Sequence, residues 1–205
     1  MTGFSGREDR IVTKNGRGEY FLKIVRHHEK TERPVLRTLA KIRTGMTQQT
    51  LQINFEEYAT PADLPPDERQ LLELAVRKLS SSYAPYSSFQ VSASALLSDG
   101  SIYTGNNFEN AAYPMCLCAE RTLLATCFSQ KPAERILKVA ITVRNVHNPV
   151  TIPASPCGAC RQVFHETEQR QDQGIRLILR GESGPVWVFE RSGDLLPFGF
   201  GGELL

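Results

Sequence analysis

The chain lacks long apolar runs, has little tryptophan and carries almost no net charge. Of its 205 residues 40% are hydrophobic and 8% aromatic, with one tryptophan. No apolar stretch approaches the roughly 18 residues that indicate a membrane span. Residues 1–10 also lack the apolar segment of a secretory signal. We therefore expect a cytoplasmic protein with no membrane partner.

A disulfide framework is also missing from the pattern. Five cysteines make an odd number, and thiols stay reduced in the cytoplasm. Cysteines in such a protein more often bind metal or take part in chemistry than form bridges.

The small net charge of +2 conceals an asymmetry along the chain. Residues 1–45 carry 11 Lys/Arg and 5 Asp/Glu, whereas residues 46–205 carry 13 and 17. The longer segment is therefore acidic and has no bulk attraction for a phosphate backbone. This favours a small neutral substrate and argues against a nucleic-acid partner.

The basic segment 1–45 is predicted to be a poorly ordered extension that precedes a catalytic domain at 46–205. A basic arm for nucleic acid or organelle import is the alternative, and the five acidic residues of the segment count against import. Met46 is a candidate for the natural start.

Three helices and five strands are predicted in the longer segment. A helix begins at Pro65-Pro66-Asp67, because proline suits a first turn and acidic residues favour the positive helix end. Strands interleaved with helices of 10–15 residues predict a layered α/β sheet. The other predicted helices are Cys118–Ser129 and Gly158–Arg170, and the predicted strands are Phe89–Leu97, Ser101–Gly105, Ile136–Arg144, Ile175–Leu179 and Val186–Phe189.

The segment Pro156-Cys157-Gly158-Ala159-Cys160 places two thiols three residues apart at a predicted helix start. That spacing puts both sulfurs on one face, and the helix N-terminus favours the thiolates that zinc requires. A lone Cys-x-x-Cys is also used for redox exchange, so this motif alone is only moderately specific.

A second motif, Cys118-Ala119-Glu120, also opens a predicted helix. A third thiolate there would leave a fourth position for water, as in catalytic zinc sites, with Glu120 as the general acid/base. Cys116 offers a different interpretation: with the other three thiols it would form a closed, structural four-cysteine site in which Glu120 has no task.

Several motifs in one order make the chain resemble the cytidine deaminases, a family of zinc nucleobase deaminases. The resemblance covers about Leu64 to Phe200. The matching blocks are Tyr83-Ala84-Pro85-Tyr86-Ser87-x-Phe89-x-Val91, Asn107-Phe108-Glu109-Asn110-Ala111-Ala112-Tyr113-Pro114, Cys118-Ala119-Glu120-Arg121, Cys157-Gly158-Ala159-Cys160-Arg161-Gln162 and Leu195-Leu196-Pro197.

This resemblance implies a three-layer α/β/α fold with a central mixed sheet of about five strands, assembled as a homotetramer. It implies hydrolytic deamination of cytidine and deoxycytidine to uridine and deoxyuridine in pyrimidine salvage, with ammonia released. One Zn²⁺ per subunit would be held by Cys118, Cys157 and Cys160, while Glu120 moves the protons.

The resemblance also implies roles for the residues around the metal. Asn107 and Glu109 would bind the ribose hydroxyls, and Phe89 would stack on the pyrimidine. The backbone carbonyl of Ser155 would accept a hydrogen bond from the leaving amine. Ala111, Tyr113 and Phe200 would reach the active site of a neighbouring subunit.

Three thiolates on Zn²⁺ leave a net charge of −1, which weakens the acidification of a bound water. Arg121 is the cationic candidate to offset this charge, as the resemblance also implies.

One stretch departs from the family pattern. Ser92-Ala93-Ser94 stands where similar proteins usually have Gly-Ala-Ala, and the added bulk is expected to trim the pocket beside Phe89. The preference among cytidine, deoxycytidine and analogues is therefore left open. A deaminase of another substrate, such as a nucleotide, a nucleoside antibiotic or a base in RNA, is a separate alternative.

Overall fold

The computed structural model describes residues 8–14, 20–26 and 49–202. The chain divides into two units, Met1–Asn54 and Phe55–Leu205. In the first unit, β1 (Glu8–Lys14) pairs antiparallel with β2 (Tyr20–Arg26). The predicted poor order of residues 1–45 falls largely outside the described residues, and so does Met46. The domain boundary after residue 45 stays a prediction.

Six strands form the sheet of the second unit: β3 (Glu56–Tyr58), β4 (Phe89–Leu97), β5 (Ile102–Asn106), β6 (Ile136–Asn145), β7 (Arg176–Arg180) and β8 (Val186–Phe189). Their order across the sheet is β3-β8-β7-β6-β4-β5. Only β6 and β7 are parallel, so the sheet is mixed as expected. It has one strand more than the predicted five, because the three-residue strand β3 pairs with β8 at the edge.

Three α-helices accompany this sheet among the described residues: α1 (Pro66–Lys78), α2 (Ala119–Gln130) and α3 (Gly158–Gln171). The start of α1 agrees with the prediction, since Pro65 is its N-cap and Asp67 lies in its first turn. Short 3-10 helices cover Pro61–Asp63, Leu79–Ser81, Tyr113–Met115 and Ser192–Leu195.

The two faces of the sheet carry different helices. On one face, Ser94 Oγ donates to the carbonyl of Leu71 in α1 (2.7 Å). On the other face, Gly105 lies so close to α2 that a Cβ would meet the backbone nitrogen of Leu123 at 2.5 Å. The second unit is therefore a three-layer α/β/α arrangement, as the resemblance implied.

Ser92 and Ser94 lie on the α1 face of β4, because alternate residues of a strand share a face. Both are fully buried. Phe89 has the opposite parity and belongs to the α2 face. The expectation that the two serines trim the pocket beside Phe89 is therefore wrong, since their bulk is directed at α1.

None of the helices among the described residues combines the length and the apolar character that crossing a membrane requires.

Candidate active site

The two helices α2 and α3 begin at the same place, and each begins with a cysteine. Cys118 is the N-cap of α2 and Cys157 is the N-cap of α3. Cys160 follows in the first turn of α3 and is buried. Because a helix N-terminus carries a partial positive charge, both ends favour thiolates at this point.

The geometry of the three thiols fits one zinc ion. Cys118 Sγ lies 3.9 Å from Cys157 Sγ, which lies 3.3 Å from Cys160 Sγ, and all three sulfurs are within 4.8 Å of one another. A tetrahedral site with Zn–S bonds of about 2.3 Å separates its sulfurs by about 3.8 Å. The predicted ligand set is therefore assembled by the fold.

Cys116 does not belong to this cluster. Its sulfur accepts from the backbone N–H of Asn110 (3.2 Å), and the residues that meet the metal-site distances are Cys118, Cys157 and Cys160. Three protein ligands leave a fourth coordination position for water or substrate, the arrangement of catalytic zinc sites. The geometry disfavours the closed four-cysteine alternative.

The thiols are strongly coupled to one another. The Cys160 thiol hydrogen-bonds to Cys118 and lowers the pKa of Cys118 to about 5, against the opposing effect of burial, and the charge of Arg121 contributes. The same interaction with Cys118 raises the pKa of Cys160. A cation shared by the three sulfurs would relieve this competition.

Arg121 lies in the first turn of α2, next to Glu120, and faces the same region. Its Nη2 donates to the carbonyl of Cys116 (2.7 Å). Its Nε is buried and has no hydrogen-bond partner among residues 49–202. A half-buried guanidinium with a buried spare donor beside thiolates is suited to offset their negative charge.

Glu120 occupies the first turn of α2 and is 5% exposed. Burial raises the pKa of this carboxyl, and the charge of Cys118 acts in the same direction. Proton transfer at neutral pH requires a carboxyl group that can hold a proton beside the metal site, and Glu120 lies next to the three thiols in this way.

The predicted sugar-binding residues follow β5 directly. The side-chain carboxamide of Asn107 accepts from the N–H of Val91 and donates to the carbonyl of Phe89, both at 2.8 Å. Glu109 accepts from the N–H groups of Tyr86 (2.9 Å) and Ser87 (3.3 Å) and from the Ser87 hydroxyl.

These hydrogen bonds outweigh the burial of the Glu109 carboxyl, which alone would raise its pKa, and the net pKa is lowered. Glu109 is therefore held as a carboxylate, ready to accept further hydrogen bonds.

A backbone bridge joins this segment to the thiols. Phe108, between Asn107 and Glu109, exchanges two hydrogen bonds of 2.9 Å with Leu117. Leu117 immediately precedes Cys118, the first of the three thiols, so the bridge places Asn107 and Glu109 beside the thiol cluster. The structure thus brings the Asn-x-Glu pair, Phe89 and the thiols into one region.

The remaining predicted residues lie at the surface. Tyr113 is 68% exposed and Phe200 56% exposed, and Ala111 and Ser155 are also exposed. Tyr113 makes an edge contact with Tyr86, with ring centroids 6.1 Å apart. Gln162 Nε2 holds the backbone carbonyl of Phe200 at 2.7 Å.

Sequence reasoning gave no role to Arg161 or Ser87. Arg161 donates to the carbonyl of Pro156 (2.8 Å), next to Cys157, and to that of Leu195 (3.1 Å). Arg161 therefore links the residue that precedes Cys157 to the C-terminal segment around Leu195. Both residues lie within the motifs quoted above, but their contacts depend on distant carbonyl and carboxylate groups that a motif does not reveal.

Comparison with known proteins shows the family to which the chain belongs. Residues 65–171 match the model of the cytidine and deoxycytidylate deaminase zinc-binding region. The chain belongs to this deaminase family. A cytidine deaminase of Halalkalibacterium halodurans is 37% identical over 139 residues, which are 67% of this chain and 96% of that protein.

Solved structures agree with the assignment. A crystal structure of cytidine deaminase from Burkholderia pseudomallei is 34% identical, with a TM-score of 0.57 over 67% of this chain and all of that chain. One from Mycobacterium tuberculosis is 33% identical, with a TM-score of 0.51 over 67% of this chain and 99% of that one.

The matched residues include the three clustered cysteines and Glu120. The chain is therefore a hydrolase with the zinc-binding region of the cytidine and deoxycytidylate deaminases. The matched region ends at residue 171, before Phe200.

Proposed function

We propose that this protein deaminates cytidine and deoxycytidine hydrolytically, giving uridine and deoxyuridine with ammonia. One observation carries the proposal: three thiols from two helix N-termini leave one coordination position open, and the carboxyl of Glu120 is buried in the same first turn of α2. The names of the similar proteins support this substrate class. A role in pyrimidine salvage follows from the reaction.

Cys118, Cys157 and Cys160 would hold the zinc. When bound, the metal supplies Lewis-acid chemistry that makes water a nucleophile near neutral pH. Arg121 offsets the negative charge that three thiolates bring to the site.

Glu120 is the proton carrier of the proposed reaction. It takes a proton from the attacking water and delivers it to N3 of the cytosine ring, which makes C4 more electrophilic. Water oxygen bonds to C4, the C4–N4 bond breaks, and Glu120 passes the second proton to the departing amine. The carbonyl of Ser155, two residues before Cys157, accepts a hydrogen bond from that amine. Water and cytidine are thereby converted to ammonia and uridine.

The substrate would be held by residues 107–109, beside the three metal-binding cysteines. Asn107 and Glu109 bind the sugar hydroxyls, supported by their position next to the Phe108–Leu117 bridge. Phe89, half-buried at the start of β4, stacks on the pyrimidine.

We also propose that the protein assembles as a homotetramer in which Ala111, Tyr113 and Phe200 reach a neighbouring site. These residues are exposed. A groove of about 920 Å³ runs along α2 and α3, lined in part by Leu124, Phe128 and Val163. Light scattering should give four chains per particle, and Phe128→Glu should lower that number; a wild-type monomer contradicts the assembly.

The cytoplasm is the proposed compartment. All five cysteines lie among the described residues and are free, and a thiolate site needs a reducing environment. A fusion with a fluorescent protein that localised outside the cytoplasm would contradict this.

The substrate is tested directly by turnover. Zinc-loaded protein is incubated with cytidine, deoxycytidine, cytosine and cytidine monophosphate, and the loss of cytosine absorbance is followed. We expect turnover of the two nucleosides. Preference for the phosphorylated substrate would favour a nucleotide deaminase, and no turnover of any of the four would contradict the proposal.

A further inference from the structure

Both polar atoms of the Asn107 side chain are used by the strand that carries Phe89. Regular pairing of β4 with β5 ends at Ser92 opposite Asn106. Beyond that point, Asn107 Oδ1 accepts from the N–H of Val91 and Nδ2 donates to the carbonyl of Phe89, each at 2.8 Å. The carboxamide thus acts as a peptide group and extends the ladder to Phe89.

The other side of Phe89 is held by Glu109 through Ser87. Ser87 Oγ accepts from the N–H of Phe89 (3.0 Å) and donates to the Glu109 carboxylate. Ser88, between them, has a φ of 55°, a left-handed conformation that is uncommon for a non-glycine residue. The backbone on both sides of Phe89 is therefore fixed by the Asn-x-Glu pair.

We propose that Asn107 is a positioning residue for Phe89, so that it serves binding of the pyrimidine ring as well as binding of the sugar. The inference rests on the proposed function, in which Phe89 stacks on the base. Ring stacking depends on the offset and angle of the two rings. A Phe89 backbone released from Asn107 therefore binds the base less tightly, even when no sugar is present.

A pair of ligands separates the two roles. Uridine carries base and sugar, whereas uracil carries the base alone. Dissociation constants of both are measured by ligand-observed NMR on zinc-loaded wild-type and Asn107→Ala proteins. We expect Asn107→Ala to weaken uracil about fivefold and uridine by more. Unchanged uracil binding with weakened uridine binding would overturn the inference, because Asn107 would then act only through the sugar.

Asn106→Ala is the matched control. The Nδ2 of Asn106 donates to the carbonyl of Lys78 (2.7 Å), to Ser82 Oγ (3.1 Å) and, at 3.5 Å, to the carbonyl of Val91, but not to the carbonyl of Phe89. We expect this variant to leave uracil binding within twofold of wild type. Loss of uracil binding equal to that in Asn107→Ala would show a general effect on the sheet edge and contradict the inference.

A second substitution, of nearly the same shape as asparagine, keeps the inference testable if Asn107→Ala does not fold. Asn107→Asp keeps the acceptor for Val91 and puts a carboxylate oxygen, which cannot donate, opposite the carbonyl of Phe89. It should weaken uracil binding in the wild-type background and have no further effect in a Phe89→Leu background, because the contact acts through that ring. Full additivity of the two substitutions would overturn the inference.

Failure of the proposed function gives a different result. If the wild type binds uracil in the expected pattern but does not deaminate cytidine, the positioning role stands and the activity fails. If the wild type is active but Asn107→Ala binds uracil as tightly as the wild type does, only the positioning role is contradicted. If the wild type binds neither ligand, both are contradicted.

Discussion

Cys118 and Cys157 are the N-caps of α2 and α3, and their sulfur atoms lie 3.9 Å apart. Two segments separated by 39 positions in the chain thus meet at one point, with a helix N-terminus behind each sulfur. Cys160 completes the cluster from within the first turn of α3. The metal site and the packing of α2 beside α3 are therefore one structural feature.

Substituting Cys118 should have a very different effect from substituting Cys116. Cys118→Ser removes one of three ligands, and we expect zinc content to fall well below one per chain after dialysis against a weak chelator. Cys116→Ser, the control, should keep about one zinc per chain, because its sulfur contacts Asn110 instead. Elemental analysis of both proteins checks this. Equal zinc loss in the two variants would support a four-cysteine site.

Gly105 fixes the distance between the sheet and α2. A Cβ there would meet the Leu123 nitrogen at 2.5 Å and the Ala119 carbonyl oxygen at 2.6 Å, and backbone atoms have little freedom to move. We expect Gly105→Ala to lower the free energy of unfolding by about 2–3 kcal/mol and to lower kcat, since α2 carries Glu120. Urea unfolding and turnover are the measurements.

Gly202→Ala is the control for Gly105, because a Cβ at Gly202 meets nothing within 4 Å. It should change neither quantity. A Gly105→Ala protein as stable as wild type would contradict the described packing of α2 on the sheet.

Glu68 is a buried carboxylate held between two cations. It accepts from Lys138 (2.9 Å) and Arg176 (2.8 Å), and its side chain is 3% exposed. Glu68→Gln removes the buried negative charge, whereas Lys138 keeps Asp67 and Arg176 keeps Glu56 and Glu190 as more exposed partners. The substitution should therefore cost about 1–3 kcal/mol of unfolding free energy. Glu73→Gln, which alters an exposed pair with Arg77, should cost less than about 0.5 kcal/mol. Similar losses in the two variants would contradict the account.

Lys138 also makes stability depend on acid pH. Its hydrogen bond to Asp67 (2.6 Å) lowers the pKa of Asp67 below its usual 3.8. A pKa lowered by folding stabilises the protein above the unfolded value, and this contribution is lost as the pH falls through the folded value. Lys138→Met should therefore make unfolding free energy less dependent on pH below about 4. A pH dependence equal to that of wild type would contradict this.

The sequence predicted most of the fold because its patterns are local. Alternation gave the bounds of Phe89–Leu97, and the prolines and acids at 65–67 gave the start of α1. The strand Glu56–Tyr58 is not among the five predicted strands, although Ile53, Phe55 and Tyr58 alternate as in a strand. Its pairing depends on Val186–Val188, which lie about 130 positions away in the chain. Strand existence at a sheet edge is decided by such distant partners.

The sequence predicts a metal site formed by cysteines, but it does not settle whether the site has three or four cysteine ligands. Spacing places Cys157 and Cys160 on one face of a helix, and the Ala-Glu that follows Cys118 at a helix start marks Cys118 as the third ligand. The sequence still leaves Cys116 open as a fourth ligand of a closed site. Only the fold decides, by directing the Cys116 sulfur to the Asn110 backbone. The contacts of Asn107 with Phe89 were equally hidden, since a side chain that replaces a peptide group leaves no pattern in the sequence.

The central claim is that Glu120 moves protons in a zinc-dependent deamination. Glu120→Gln keeps the shape and burial of the side chain and removes its ability to accept a proton. Zinc content and cytidine turnover measured on the same preparation test the claim most directly. We predict about one zinc per chain with kcat reduced by at least 10²-fold. Zinc-loaded Glu120→Gln protein that deaminates cytidine at the wild-type rate would contradict the account.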